Sequence, residues 1–148
     1  MIAVCIKWID AQSPFGLSAA DEAAIEIALR HGEAIRSTVI AVSVGGPTAD
    51  RGLRDALARG VSTAIRVDAP DDMDSASVAA ALSPVVAHST AVWCGDYSAD
   101  RGTGSVPAFL AHRLQRQQAL GLVGVESVLC GTPGVDRDLV ALLDGAPQ

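Results

Sequence analysis

Five short apolar runs, rich in β-branched residues, recur along the chain at residues 2–8 (IAVCIKW), 37–46, 62–69, 89–94 (STAVWC) and 120–130, and helix-like segments separate them. Runs that are apolar on both sides suit strands covered on both faces. Strands alternating with helices over short connections build a parallel sheet with helices packed on either side. Right-handed crossovers leave few ways to thread it. Ligands of such sheets gather outside the C-terminal strand ends, near the point where strand order reverses. The loops after the first, second and fourth runs are therefore the places to look for a site.

The intervening segments carry helix punctuation. Ser18-Ala19-Ala20-Asp21 resembles a capping box with a short acid at the third helical position. Beyond it, Ala24, Ile25, Ala28 and Leu29 share one helical face. Pro47-Thr48 opens a second helix with Thr48 as its cap, and Gly60 stops it. Pro84 shortens or bends a third helix, and a fourth is expected over 105–118. The last segment, 131–148, differs. Turn signals precede LVALL, and Asp144-Gly145 favours a tight hairpin. Residues 1–130 are accordingly expected to form one α/β domain, with 131–148 as a tail or truncated hairpin extension that borrows another element for pairing.

Bulk properties narrow the class. At 148 residues with 49% hydrophobic content, the chain is long enough for one domain with a genuine core. A net charge of −6 argues against nucleic acid or an anionic membrane as the main partner. No apolar run approaches the roughly 20 residues of a membrane span, and the first residues lack the pattern of a signal peptide. No membrane insertion and a cytoplasmic location are the expectation. Cys5, Cys94 and Cys130 form no CxxC or Cys/His cluster, so disulfides and structural zinc are not expected.

The stretch after the fourth run, GDYSADRGTGSVP (95–107), is the strongest candidate site. Glycines let backbone N–H groups approach a ligand closely, and a helix N-terminus adds unpaired donors and partial positive charge suited to phosphate. Thr103 and Ser105 offer hydroxyls, and Arg101 a forked cation. Asp100 either caps the turn or accepts from a ribose hydroxyl. The same composition also makes ordinary βα loops that bind nothing. Other nucleotide signatures are missing: no GxxxxGK[ST] exists, and no GxGxxG follows the first run. His31 sits at a helix end where a cation suits the dipole, and each of His31, His88 and His112 is structural or solvated. Lys7 lies either near a ligand mouth or on the surface, and Trp8 and Trp93 suit core or interface packing. No catalytic constellation is seen, so the chain is not expected to be an enzyme.

Four blocks in order carry a family resemblance over about residues 1–128: Val4-Cys-Ile-Lys7-Trp-Ile-Asp10, Glu22-Ala-Ala-Ile-Glu-Ile-Ala-Leu-Arg30, VIAVSVGGP (39–47) with LRDALARGVSTAIRVD (53–68), and the loop from Gly95 to Ser105. Together they resemble the β subunit of electron transfer flavoprotein, and DRGTGSVP is similar to the branch associated with mycofactocin redox systems. The resemblance implies a three-layer α/β/α fold with a five-stranded parallel sheet, Rossmann-like (adenine nucleotide alpha hydrolase-like), in strand order 3-2-1-4-5. It also implies a structural AMP, pairing with an electron transfer flavoprotein α subunit that holds most of the FAD, and electron relay from acyl-CoA or other flavin-linked dehydrogenases. Carried over by position, AMP contacts Cys5, Ser18, Ala19, Ala20, Asp21, Val44, Gly95, Asp96, Tyr97, Ser98, Asp100, Arg101, Gly102, Thr103, Gly104 and Ser105.

Ser18-Ala19 departs from the family's Asn-Pro, and Asp100-Arg101-Gly102 shortens and recharges its loop. Arg101 either pairs with the phosphate, marks a different anion or accompanies an empty site. The competing class is a stand-alone ATP- or AMP-binding module of the universal-stress kind. Its Gly-x-x-Gly followed by Gly-Ser is matched only by Gly95 and Gly104-Ser105.

Overall fold

A computed structural model describes residues 1–9, 16–97, 104–122 and 139–143. Four strands, β1 (Ile2–Cys5), β2 (Val39–Gly45), β3 (Thr63–Asp68) and β4 (Ala91–Gly95), alternate with helices α1 (Ala19–Ala34), α2 (Asp50–Ala58) and α3 (Ser75–Val86). A fourth helix, α4 (Val106–Leu114), leads to β5 (Gln117–Leu120), and β6 (Leu139–Leu143) closes the order. β1 pairs in parallel with both β2 and β4, and β2 with β3. Strand order therefore reverses at β1, and the C-terminal ends of β1, β2 and β4 lie side by side.

The apolar runs are buried on both faces because each pleat sends alternate side chains to opposite helical layers. Ile2 and Val4 of β1 join Ala24, Ile25 and Ala28 of α1 and Leu53 and Ala56 of α2 in one core. Ala3 and Cys5 face the other way, into a second core with Ala79, Leu82 and Val86 of α3 and Leu110 and Ala111 of α4. The result is the expected three-layer α/β/α arrangement. At roughly 1.5–3 kcal/mol per fully buried aliphatic side chain, the helices are held by this two-sided burial. β3, with half-exposed residues throughout, is the edge.

The fifth strand is a correction. No fifth parallel strand lies beside β4. That place belongs to β6, which runs antiparallel to β4 from Ala91↔Leu143 to Gly95↔Leu139. β5 pairs antiparallel with β6 outside it, so the order is β3-β2-β1-β4-β6-β5. Among the described residues the parallel part is thus four-stranded. The expected helix over 105–118 ends earlier, at Leu114, because Gln115 takes the left-handed conformation (φ 54°) and redirects the chain. β5 begins within the segment assigned to that helix. Of the run 120–130, residues 123–130 lie outside the described residues, as does Asp144-Gly145. The LVALL run meanwhile finds its pairing partner in the exposed edge of β4.

The structure also decides three smaller expectations. Thr48 caps nothing: a 3₁₀ turn (Pro47–Ala49) precedes α2, and neither has a side-chain cap. α3 runs through Pro84 to Val86. His31, in the last turn of α1, is structural rather than solvated. It is buried, and its Nδ1 accepts from Trp93 Nε1 at 3.1 Å with the rings at 90°. Burial pushes its pKa down, which favours the neutral ring.

Candidate functional site

The strand ends converge on a pocket of about 340 Å³, inside the ~300–1,000 Å³ range of small-molecule sites. β1 and the residues after it contribute Cys5, Ile6, Lys7 and Trp8, and β2 contributes Val42, Ser43, Val44 and Gly45. Cys94, Gly95 and Tyr97 come from the end of β4 and its loop. The pocket is roofed by the first turns of α3 (Ser75, Val78) and α4 (Val106, Pro107) and by Pro70, Asp71 and Met73 before α3. It is apolar on the α3 side, where Val78 and Leu82 face Val42 and Val44. It is polar towards the N-terminus of α1, where Asp21 enters.

α1 begins as its sequence demands. Ser18 is its N-cap, with Oγ accepting from Asp21 N at 3.0 Å. The reciprocal half of a capping box is not formed. Asp21 instead turns to the strand ends, where its Oδ2 accepts from Lys7 N at 3.3 Å. The carboxyl is only 7% exposed. Burial pushes its pKa from 3.8 up to about 7, against the opposing pull of the Lys7 N–H, the Ser18 hydroxyl and the Lys7 charge. Asp21 is therefore poised between acid and carboxylate near neutral pH.

Gly95 is what lets α1 approach β4 this closely. A Cβ there would stand 3.0 Å from Ala20 Cβ and 3.1 Å from Asp21 Oδ1. Gly104 has a parallel role: a Cβ on it would collide with the Asp96 carbonyl, so the two ends of the loop after β4 meet backbone to backbone. Ser105 Oγ then donates to Ser75 Oγ at 2.8 Å, joining the N-termini of α4 and α3 over the pocket. Among the described residues no side chain caps α4, and its first-turn amides face the start of the helix as potential donors.

Of the residues expected to bind a nucleotide, Cys5, Asp21, Val44, Gly95, Tyr97 and Gly104 line this pocket. Ser18, Ala20, Asp96 and Ser105 do not line it but hold its edges through the contacts above, and Ala19, the first residue of α1, does not line it either. Ser98, Asp100, Arg101, Gly102 and Thr103 lie outside the described residues. Lys7 and Trp8 line the pocket, whereas Trp93 is fully buried in the core. Among the described residues, no helix is long and apolar enough to cross a membrane.

The electron transfer flavoprotein domain model matches residues 6–137, most of the chain and every element of the pocket after β1. The chain belongs to that family. It is also 35% identical over 100 residues to the electron transfer flavoprotein subunit beta of Bacillus subtilis (strain 168), a match covering 64% of this chain. The chain spans 38% of that relative's length.

This electron transfer flavoprotein domain uses one wall that its sequence did not advertise. Pro70, Asp71, Met73, Ser75 and Val78 follow β3, an edge strand whose end is remote from the switch point. They reach the pocket because Asp71 Oδ1 accepts from Gly46 N at 3.0 Å, drawing the loop before α3 over the end of β2. Asp71 thus ties the loop before α3 to the end of β2 from 25 residues away. The only sequence signal was the acidic run DDMD before α3, of which Asp74 is the N-cap.

Proposed function

We infer that this chain is an electron transfer flavoprotein β-subunit-like module that holds AMP as a structural ligand and works as a partner in electron transfer, not as an enzyme. The observation that carries this is the pocket itself. Apolar walls from β2 and α3 suit a planar base, and the uncapped start of α4 beside Gly104 suits a monophosphate through amides and the helix dipole. Asp21 and the Lys7 backbone mark the polar end. The donor set fits AMP: Val44 and Val78 lie on the side for the base, and Gly95, Gly104 and the first turn of α4 on the side for phosphate. We assign Arg101 and Thr103 to the phosphate from their place in the sequence alone, since both lie outside the described residues.

FAD belongs mainly to an α-subunit partner, where it supplies one- and two-electron chemistry. This chain's part is to shape the partner surface and keep the nucleotide pocket filled. Flavin-linked dehydrogenases, acyl-CoA dehydrogenases among them, are the electron donors, and the cytoplasm is the location.

The test is to denature purified protein and identify released small molecules by HPLC. AMP close to one per chain is expected. ATP would point to a universal-stress-like module instead, and no nucleotide at all would overturn the reading. FAD uptake should require co-expression with an α subunit.

A further inference from the structure

Cys5 and Cys94 are register partners on adjacent parallel strands, β1 and β4. Both are free thiols, both belong to the core on the α3/α4 side, and both also line the pocket. Neighbouring strands lie about 4.8 Å apart, so two such side chains on one face stand close enough for one atom to bond both sulfurs. We propose that this pair is a dithiol binding site on the pocket floor, for a neutral trivalent arsenical that closes a ring across the two sulfurs.

The surroundings select that chemistry over other thiol ligands. Contact with the Cys5 thiol, burial and the nearby Asp21 carboxyl all push the Cys94 thiol well above its usual range. Ligands that demand thiolates, divalent metal ions above all, are disfavoured there. Among the described residues, no group of three or more His, Cys, Asp or Glu could hold a metal ion. A trivalent arsenical asks for no buried charge. Phenylarsine oxide condenses with two thiols: the arsenic–oxygen bond breaks, two arsenic–sulfur bonds form, and both thiol protons leave in one water. Arsenic stays trivalent, so no oxidant or reductant is needed. The phenyl group would lie against Val42, Val78 and Leu82, the apolar wall beside the sulfurs. No nucleotide is required for this chemistry, so it stands apart from the function proposed above.

The test is intact-mass analysis of the folded, nucleotide-free chain with phenylarsine oxide. One adduct per chain is expected, with loss of one water. It should persist in Cys130→Ser and disappear in Cys5→Ala and in Cys94→Ala, each checked for folding by circular dichroism. In unaltered protein, an acid-quenched peptic digest should show the arsenic bridging the peptides that carry Cys5 and Cys94, a readout that does not depend on a variant folding. Adduct surviving in either alanine variant, a bridge that includes Cys130, or binding only after denaturation would each overturn the site. Slower capture after incubation with AMP would place both ligands in one pocket. Capture indifferent to AMP would leave the dithiol site standing and count against the nucleotide.

Discussion

Replacing Asp21 by Asn should make the protein more stable at alkaline pH and change it little at acid pH. The carboxyl is 7% exposed and its pKa rises from 3.8 to about 7, chiefly through burial. The folded-state value lies above the unfolded one, so the folded chain binds this proton more tightly. The associated stability is fully present below pH 3.8 and is lost as pH rises towards 7. A rise of roughly three pH units, at about 1.4 kcal/mol each, makes the loss ~4 kcal/mol at most. Asn keeps an acceptor for Lys7 N and the N-cap bond from its own backbone, but has no proton to lose. Urea unfolding of nucleotide-free protein at intervals between pH 4.5 and 8 measures both chains, and other titrating groups cancel in the difference. Asp21→Asn should gain on the parent across that window, most steeply from pH 5 to 7. A difference that stays constant to within about 1 kcal/mol would refute the idea that this carboxyl is desolvated.

His31 has the opposite sign. Its folded pKa is depressed, so its contribution is present above the unfolded value of 6.5 and is lost as pH falls through that region. With Asp21 already neutralised, the Asp21→Asn chain should therefore weaken on acidification from pH 7.5 to 5.5, and a flat profile would contradict a buried neutral His31. Trp93→Phe removes the donor to His31 Nδ1 and should cost about 1–3 kcal/mol for the orphaned acceptor, beyond lost packing, read as a lower urea midpoint. Leu82→Ala empties a fully packed position shared by the core and the pocket wall. It should cost about 2–5 kcal/mol, again by urea unfolding, and a loss under 1 kcal/mol would mean the wall collapses freely. Gly104→Ala forces the loop after β4 off the Asp96 carbonyl. Nucleotide recovered by HPLC should disappear while the far-ultraviolet dichroism is kept, and undiminished nucleotide would show that this loop does not shape the site.

The helical layers and the switch point were legible because local pattern and global burial agree. Ala24, Ile25, Ala28 and Leu29 recur at helical spacing and do face the sheet, and the runs at β1, β2 and β4 are apolar on both sides because both sides are covered. From that alone, three of the pocket's margins could be located at the ends of β1, β2 and β4. The fourth margin, the loop before α3, was invisible. The hydrogen bond between Asp71 and the Gly46 amide helps to fix its position, and no spacing rule announces a contact across 25 residues.

Asp21 and the two cysteines show the same divide at the level of chemistry. Capping logic correctly put Ser18 and Asp21 at the start of α1, but the carboxyl's partner and its raised pKa come from packing against the end of β1 and Gly95. Apolar surroundings identified Cys5 and Cys94 as small buried residues, and only strand pairing set them shoulder to shoulder.

Periodicity, capping residues and turn residues act over a few positions, so the order of strands and helices and the loops worth watching were already written in the chain. Strand direction at the sheet edge was not. A β-rich run such as LVALL pairs equally well with any open edge its linkers let it reach, and the free side of β4 was settled by which segment could return to it. The same holds for the ionisation of Asp21, because an electrostatic environment is a sum over neighbours that folding alone assembles.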